Sequence, residues 1–368
     1  FMGRAHSNAW RQAPKFFNLK ANVEMHTICG RDAAALQSAR PQLGWQHAVT
    51  DWREIVESPL IDVVDICTPP HLHAEIAVAA ARSGKHVLCE KVFALNVKQA
   101  EEMFAAARKA KIVHMVCHNY RRIPAIALAK RMIDEGALGR LFHFHARYAQ
   151  DRLADPEFPV DWRLQKATSG SGVHSDIGSH LIDLARYLVG EFREVSGLLN
   201  TFVPERPMAE ALAKGARKMG KVDVPDCSLF LARMENGLLA NFEATRYAPG
   251  RKNHIAIEVN GSKGSLSFDF EDMNRLKYYS TADPADRQGF RDILVTQRDN
   301  VQPYVSNWWP PGHLIGYEHT FVHTVADFVN ACADGKPVQP TFEDGLKNQR
   351  VLAAVEESAA KGKWLKLS

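Results

Sequence analysis

Four short apolar runs near the start of the chain each end in a cysteine: "MHTIC" at Cys29, "VVDIC" at Cys67, "HVLC" at Cys89 and "VHMVC" at Cys117. Each gives way to polar or turn-rich residues, as buried strands do where they leave a core. Between the second and third runs lies "HAEIAVAAARSG", with apolar residues three and four apart and a glycine stop. Between the third and fourth lies "NVKQAEEMFAAARKAK", of the same kind. Both are helix patterns. Strand and helix in alternation predict a parallel sheet with right-handed crossovers. In such open sheets ligands bind beyond the carboxyl ends of the strands, where "GRD", "TPPHLH", "EKV" and "HNYRR" fall. Lys91, beside Glu90 at the end of the third run, is thereby placed at a rim suited to chemistry.

After residue 118 the period changes. "RLFHFHARYAQD", "DCSLFLARM", "LLANFEATRY", "HIAIEVNG" and "GSLSFDF" alternate as half-buried strands do, with "ENG" and "GSKG" as turn signals. Helical patterns occupy "PAIALAKRMIDEG", "HLIDLARYLVG", "EHTFVHTVADFVNACADG" and "EDGLKNQRVLAAVEESAAKG". The fold class expected is α/β: a doubly wound parallel domain over residues 1–118, then an α+β domain with a large open, mostly antiparallel sheet over residues 119–368. No internal repeat is visible. The polar stretch Pro204–Asp223, basic from Lys214 to Lys221, reads as an exposed and mobile insertion with a solvated face.

The opening "FMGRAHSNAWRQAP" sets Gly3 before a helical pattern, as the last glycine of G-x-G-x-x-G stands before its helix. A doubly wound sheet needs its first, central strand, so a short strand and two more glycines are expected upstream of Phe1.

Composition narrows the function classes. Lys plus Arg number 46 and Asp plus Glu 42, a net charge of +4 that gives no footprint for nucleic acid or a membrane surface. No apolar run reaches the length of a membrane span, and no signal peptide is visible. The six cysteines show no C-x-x-C pair and no metal-ligand spacing, which favours reduced thiols, a cytoplasmic location and no metal.

"CTPPHLHAEIAVAAARSGKHVLCEK", "HNYRRIPA", "DWR" at 161 to 163, "SDIGSHLIDLARYLVG" and "FEDGLKNQRVLAAVEESAAKG" together resemble the Gfo/Idh/MocA family of NAD(P)-dependent oxidoreductases along nearly the whole chain. The resemblance implies a Rossmann domain, a second domain whose open sheet makes oligomer contacts, a dimer or tetramer among them, and oxidation or reduction of a carbinol in a sugar or cyclitol. It assigns Lys91 to the lysine of the family's E-K-P motif, which bonds the reacting hydroxyl, and Asp176 and His180 to its D-x-x-x-H motif. The spacing of four predicts that Asp176 and His180 share one helical face, with Ser175 as a cap. An imidazole beside a lysine makes a proton-transfer pair for alcohol oxidation, and either residue can be the formal base. Where the family has proline, this chain has Val92, which leaves both a cis and a trans bond after Lys91 open.

For the cofactor, an acid at Asp32 would bond the ribose hydroxyls of NAD, whereas Arg31 could hold the 2′-phosphate of NADP or lie flat on the adenine. NAD is the expectation and NADP the alternative. By resemblance the cofactor set is Met2, Gly3, Arg31, Asp32, Thr68, Pro69, His71, Glu90, Lys91, Asn119, Trp162 and Arg163. For the substrate, Lys91, Tyr120, Gln150, Arg152, Arg163, Asp176, His180 and His319 offer donors and acceptors beside aromatic walls, a set that suits a neutral polyhydroxylated ring. "WWPPGH" with "GYEHTF" resembles a branch that includes levoglucosan and inositol dehydrogenases. An NAD-dependent sugar, anhydrosugar or cyclitol dehydrogenase is therefore expected. The alternatives are a glycosidase that oxidises transiently with bound NAD and a non-catalytic sugar or nucleotide sensor.

Overall fold

The computed structural model describes residues 1–213, 215–216, 218–297 and 302–367, with positions 210 and 212 described by backbone alone. The chain divides into two compact units. The first is Phe1–Arg122 with Asn307–Trp309 and Ile315–Leu346; the second is Ile123–Ser306 with Pro310–Leu314 and Lys347–Ser368.

The first unit begins with α1 (Met2–Phe16), β1 (Thr27–Cys29), α2 (Ala33–Leu43), β2 (His47–Val49), α3 (Arg53–Glu57) and β3 (Val63–Ile66). It continues through α4 (His73–Arg82), β4 (His86–Glu90), α5 (Val97–Ala110) and β5 (His114–Cys117). Every ladder among these strands is parallel, in two pieces: β1 with β2, and β3–β4–β5. The strands that end at or beside the four cysteines therefore form as the periodicity predicts. β2, three residues long, is too brief to leave a pattern.

Alternation along β4 shows why the sheet is covered twice. Val87 and Cys89 join the apolar cluster of α4 and α5, while Leu88 between them joins that of α1 and the helix Tyr317–Asp334. All three side chains are fully buried, a contribution of about 1.5–3 kcal/mol for a residue of the size of Leu88. Asn96 caps α5 by accepting from the Gln99 amide at 3.0 Å.

The second unit contains α6 (Pro124–Asp134), β6 (Leu141–Ala149), α7 (Lys166–Ser169), α8 (Val173–Asp176), α9 (Gly178–Val189) and β7 (Phe192–Asn200). Then come β8 (Glu205–Pro207), α10 (Ala209–Leu212), β9 (Met219–Lys221), β10 (Cys227–Met234), β11 (Leu239–Thr245) and β12 (His254–Gly261). β13 (Gly264–Asp269), β14 (Arg275–Ser280), β15 (Arg291–Leu294) and the terminal β16 (Leu365–Lys366) complete the strands. Nine of them form one sheet in the order β15–β14–β13–β12–β6–β11–β10–β7–β16, parallel only between β6 and β11. On its inner face Phe230 stacks on Phe242 with ring centroids 4.3 Å apart, and α9 packs over β6 and β11. The opposite face presents Leu198, Leu229, Leu231 and Leu239, all more than 40 % exposed.

In the stretch Pro204–Asp223, Lys218 and Lys221 are exposed as expected, but the segment is not a solvated face throughout. β8 and β9 pair in it as an antiparallel ladder, and Arg206 is fully buried. Its guanidinium donates to the carbonyl oxygens of Leu153 (2.7 Å), Asp155 (2.8 Å) and Phe158 (3.1 Å), which fixes the segment to the loop after β6. Of the basic cluster, Lys214 and Arg217 lie outside the described residues.

Two long helices close the chain, α11 (Tyr317–Asp334), which packs on α1 within the first unit, and α12 (Phe342–Lys361). Among the described residues, no helix is long and apolar enough to cross a membrane.

Candidate functional site

In the first unit the groups gather at the carboxyl ends of β3, β4 and β5. β4 delivers Glu90, which is buried, and Lys91 follows it, joined to Val92 by a cis peptide bond. One Glu90 oxygen accepts from His6 Nε2 at 2.9 Å and the other from the Lys91 backbone N–H at 3.1 Å. His6 Nδ1 lies 2.9 and 3.0 Å from the two carboxylate oxygens of Asp65, and the Trp10 indole donates to the same carboxylate at 2.7 Å. With a carboxylate at each ring nitrogen, His6 uses both as donors, the arrangement of an imidazolium. Burial alone would lower its pKa, but Asp65, by charge and hydrogen bond, together with Cys67 and Cys117, outweighs burial and holds it well above the usual value.

The loop after β3 carries Thr68, Pro69 and His71. Thr68 Oγ1 and His71 Nδ1 are buried and have no hydrogen-bond partner among the described residues. His73, at the start of α4, pins this loop to the one after β4: its ring nitrogens lie 2.8 Å from the Thr68 carbonyl oxygen and 2.9 Å from that of Val92. Burial lowers its pKa.

Met2 and Gly3 form the first turn of α1, and a Cβ added at Gly3 would meet nothing within 4 Å, so packing inside the chain does not require glycine there. Arg31 and Asp32 are exposed after β1, and Asp32 caps α2 by accepting from the Ala35 amide at 3.0 Å. Asn119 donates to Thr320 Oγ1 at 2.7 Å, and the buried Tyr120 meets Tyr317 edge-on with centroids 6.3 Å apart. His319 accepts the Gly316 amide on Nδ1 at 3.0 Å, closing the start of α11, with its ring centroid 4.4 Å from that of Trp308.

In the second unit the continuous helix expected over Asp176 and His180 is corrected. Asp176 ends the single turn of α8 and His180 lies in α9, with Ile177 between them at φ −109° and ψ −29°. α8 itself starts after Gly172, whose φ of +55° and close approach to Val224 (a Cβ would come within 2.6 Å) admit only glycine. Ser175 does not cap the helix either; it lies inside α8 and donates to the Ser169 carbonyl at 2.9 Å.

Asp176 is ion-paired with Arg246, a buried residue at the end of β11. Arg152 donates to Asp161 at 3.0 Å, and Arg163 lies 3.6 Å from the same carboxylate oxygen, with its guanidinium 4.1 Å over the Trp162 ring. Burial, then the charges of Arg163 and Arg246, lower the pKa of Arg152, which places these three cations and Asp176 in one electrostatic neighbourhood. Asn253 Oδ1 accepts from both the Tyr148 hydroxyl (2.6 Å) and Gln150 Nε2 (3.0 Å), and the Tyr148 ring lies 5.9 Å from that of His180.

The second unit thus brings together Gln150, Arg152, Trp162, Arg163, Asp176 and His180, and the first brings together Thr68, His71, Glu90 and Lys91. His6, Asp65, His73, Tyr148, Arg246 and Asn253 belong to the same networks. Of these only His73 lies in a quoted rim motif, "TPPHLH"; the other five partner residues far away in sequence.

Residues 1–118 match the family described as oxidoreductase family, NAD-binding Rossmann fold, and residues 126–267 match the GFO/IDH/MocA C-terminal domain. The chain is 43% identical to levoglucosan dehydrogenase from Pseudarthrobacter phenanthrenivorans, over 99% of this chain and 95% of that protein. Among solved structures, an oxidoreductase domain protein from Kribbella flavida is 52% identical with a TM-score of 0.95, covering 100% of this chain and 96% of the other. The complex of levoglucosan dehydrogenase with NADH and levoglucosan is 43% identical, also with a TM-score of 0.95, over 100% of this chain and 96% of that one. The parallel strand-end cluster around Lys91 and the broad sheet behind Asp176 and His180 are accordingly the two halves of a GFO/IDH/MocA oxidoreductase with an NAD-binding Rossmann domain, and the chain belongs to that family.

Proposed function

We propose that this chain is an NAD-dependent dehydrogenase that oxidises a secondary hydroxyl of a sugar or anhydrosugar, with levoglucosan the first substrate to try. The observation that carries the reading is the end-to-end similarity to levoglucosan dehydrogenase, together with a lysine at the strand end where such chemistry is expected. The residues of the first unit fit the cofactor. Buried polar atoms are rarely left without partners, and Thr68 Oγ1 and His71 Nδ1 are the kind of groups that ribose hydroxyls satisfy. The open space over Gly3 admits a pyrophosphate against the first turn of α1.

Met2, Gly3, Arg31, Asp32, Thr68, Pro69, His71, Glu90, Asn119, Trp162 and Arg163 are the residues proposed to hold the cofactor. When bound, the nicotinamide supplies an acceptor for the hydride that leaves the carbinol carbon. Lys91 donates a hydrogen bond to the reacting hydroxyl and keeps it oriented. As the carbonyl forms, the hydroxyl proton passes to a basic nitrogen, for which His180 is the candidate. Asp176 orients that machinery while its charge is balanced by Arg246. Tyr120, Gln150, Arg152 and His319 would bind the remaining hydroxyls.

The six cysteines are free thiols, which supports a reducing, cytoplasm-like compartment. The exposed leucines on the outer face of the nine-stranded sheet support a homo-oligomer, a dimer or tetramer, formed through that face.

The test is a panel of levoglucosan, pyranoses and inositols with NAD or NADP, read by absorbance of the reduced nicotinamide. Turnover of an anhydrosugar or sugar with NAD supports the reading. Cleavage of a chromogenic glycoside without net reduced cofactor would replace it with the glycosidase, and NADH binding without any turnover would replace it with the sensor.

A further inference from the structure

His6 is among the buried groups to which the proposed mechanism gives no role. His6 lies in the second turn of α1, about 2 % exposed, and bridges Asp65 at the end of β3 to Glu90 at the end of β4. The free oxygen of that same Glu90 accepts the backbone N–H of Lys91. A continuous path of hydrogen bonds therefore runs from the helix that opens beside Gly3 to the main chain of the lysine. Resting on the reading of Lys91 as the group that orients the hydroxyl, we propose that His6 is a positioning residue: through Glu90 it fixes the backbone from which Lys91 projects, and so ties the cofactor helix to the reacting hydroxyl.

The geometry carries this in three steps. A carboxylate at a strand end has several rotamers, and a single backbone N–H does not select among them; a second, charge-assisted donor on the other oxygen does. Glu90 is buried, so each oxygen must find its donor inside the protein, and His6 Nε2 and the Lys91 amide are the two that meet it. His6 is in turn held by Asp65, which Trp10 of the same helix also bonds, so α1 grips the network at two points. Loss of the His6 contact frees Glu90 to turn, and a shift of the lysine of about 1 Å can cost on the order of 10²-fold in rate.

A metal centre is the competing use of the same side chains, since His6, Glu90 and Cys117, or His6, Asp65 and Cys67, place ligand atoms within 4.8 Å of one another. Both nitrogens of His6 already donate to carboxylates. Burial, with nearby carboxylates, also pushes the Cys67 and Cys117 thiols up to about 12, away from the thiolate a metal needs. The hydrogen-bonded network is the better account.

Two amide replacements separate the two ends of the ring. The amide nitrogen of His6→Gln approximates Nε2 and keeps a donor for Glu90, while that of His6→Asn approximates Nδ1 and keeps one only for Asp65. Both lose the same charge. In the cofactor-free protein, hydrogen exchange of the Lys91 amide is expected to speed up by roughly 10-fold or more in His6→Asn and to stay near wild type in His6→Gln. With a turned-over sugar, kcat should fall on the order of 10- to 10²-fold in His6→Asn alone, with sugar KM and NADH Kd within about 3-fold. Equal effects in both variants, or no change in Lys91 exchange in either, would overturn the proposal, as would stoichiometric zinc in the protein as purified. If neither variant folds, Glu90→Gln is read in the same way, because His6 Nε2 and the Lys91 amide approach different Glu90 oxygens and the amide turns one of these into a donor; an unchanged Lys91 amide there overturns the link. The exchange measurement stands even if no sugar is turned over, so failure of the proposed activity and failure of the link are distinguishable.

Discussion

Arg206 donates a 2.7 Å hydrogen bond to the carbonyl oxygen of Leu153, from a side chain with no exposed surface. Its other contacts, to the carbonyls of Asp155 and Phe158, make the guanidinium the internal donor for a whole turn of loop backbone. Arg206→Met fills the volume and removes the donors, leaving buried acceptors that each cost about 1–3 kcal/mol unpaired. The second unit should lose about 3 kcal/mol or more, and Arg206→Lys less, since one ammonium replaces part of the fork. Denaturant unfolding followed by circular dichroism checks this; a near-wild-type midpoint for Arg206→Met would mean that the loop turns its carbonyls to water.

Lys91 and His180 are both proposed to act on the hydroxyl, so they should fail alike. Lys91→Ala and His180→Ala should each lower kcat by roughly 10²- to 10⁴-fold, with NADH affinity near wild type by fluorescence titration. A Lys91→Ala enzyme that keeps most of its turnover would remove the lysine from the mechanism.

The contrast between Lys91 and Asp176 shows what a sequence can and cannot disclose here. Lys91 was placed by a local pattern, an apolar run that ends in charge, and the structure has it immediately after β4. Asp176 and His180 are four apart, yet they lie in two helices interrupted at Ile177, and the first of these can start only after Gly172, which sits hard against Val224. That approach is a tertiary contact with no local signature. Arg206 is the same lesson reversed. A basic, polar stretch looks solvated by composition, and only the carbonyls of a loop some fifty residues earlier, which meet it at 2.7 to 3.1 Å, make it a core residue. The regular strands of the large sheet were legible because one face is buried and the other is not, whereas β2 and β16 are too short to alternate.

Asp32 has two roles that one substitution would confuse. It caps α2, and it is the acid proposed to meet the ribose. Asp32→Ala removes both and should cost about 1 kcal/mol of stability in addition to any change in cofactor preference. Asp32→Asn keeps a capping acceptor and removes only the charge, so it should leave stability almost unchanged while improving NADP relative to NAD. Dissociation constants for NADH and NADPH decide it; an unaltered ratio in Asp32→Asn would move the discrimination to Arg31.

His323 gives the first unit a built-in acid sensitivity. It is fully buried in α11, donating from Nδ1 to the Arg122 carbonyl (2.9 Å) and accepting the Trp308 indole N–H on Nε2 (2.8 Å), which fixes the neutral tautomer. Burial drives its pKa from 6.5 down to about 3, against the raising effect of the Arg122 carbonyl and with the charges of His319 and Arg122 also lowering it. The unfolded chain therefore takes up a proton near 6.5 that the folded chain refuses until about 3, and the stability this residue confers is present above 6.5 and lost as pH falls through that window. One such proton corresponds to a slope of at most about 1.4 kcal/mol per pH unit. His323→Gln keeps an amide donor and acceptor and has nothing to titrate. Its unfolding free energy, measured in denaturant from pH 7 toward pH 4 (on the order of three units of pH), should fall less steeply than that of the wild type by up to one proton. Parallel pH profiles for the two proteins would show that His323 does not account for the acid limb, leaving His114, which burial lowers to about 4, as the group to replace next.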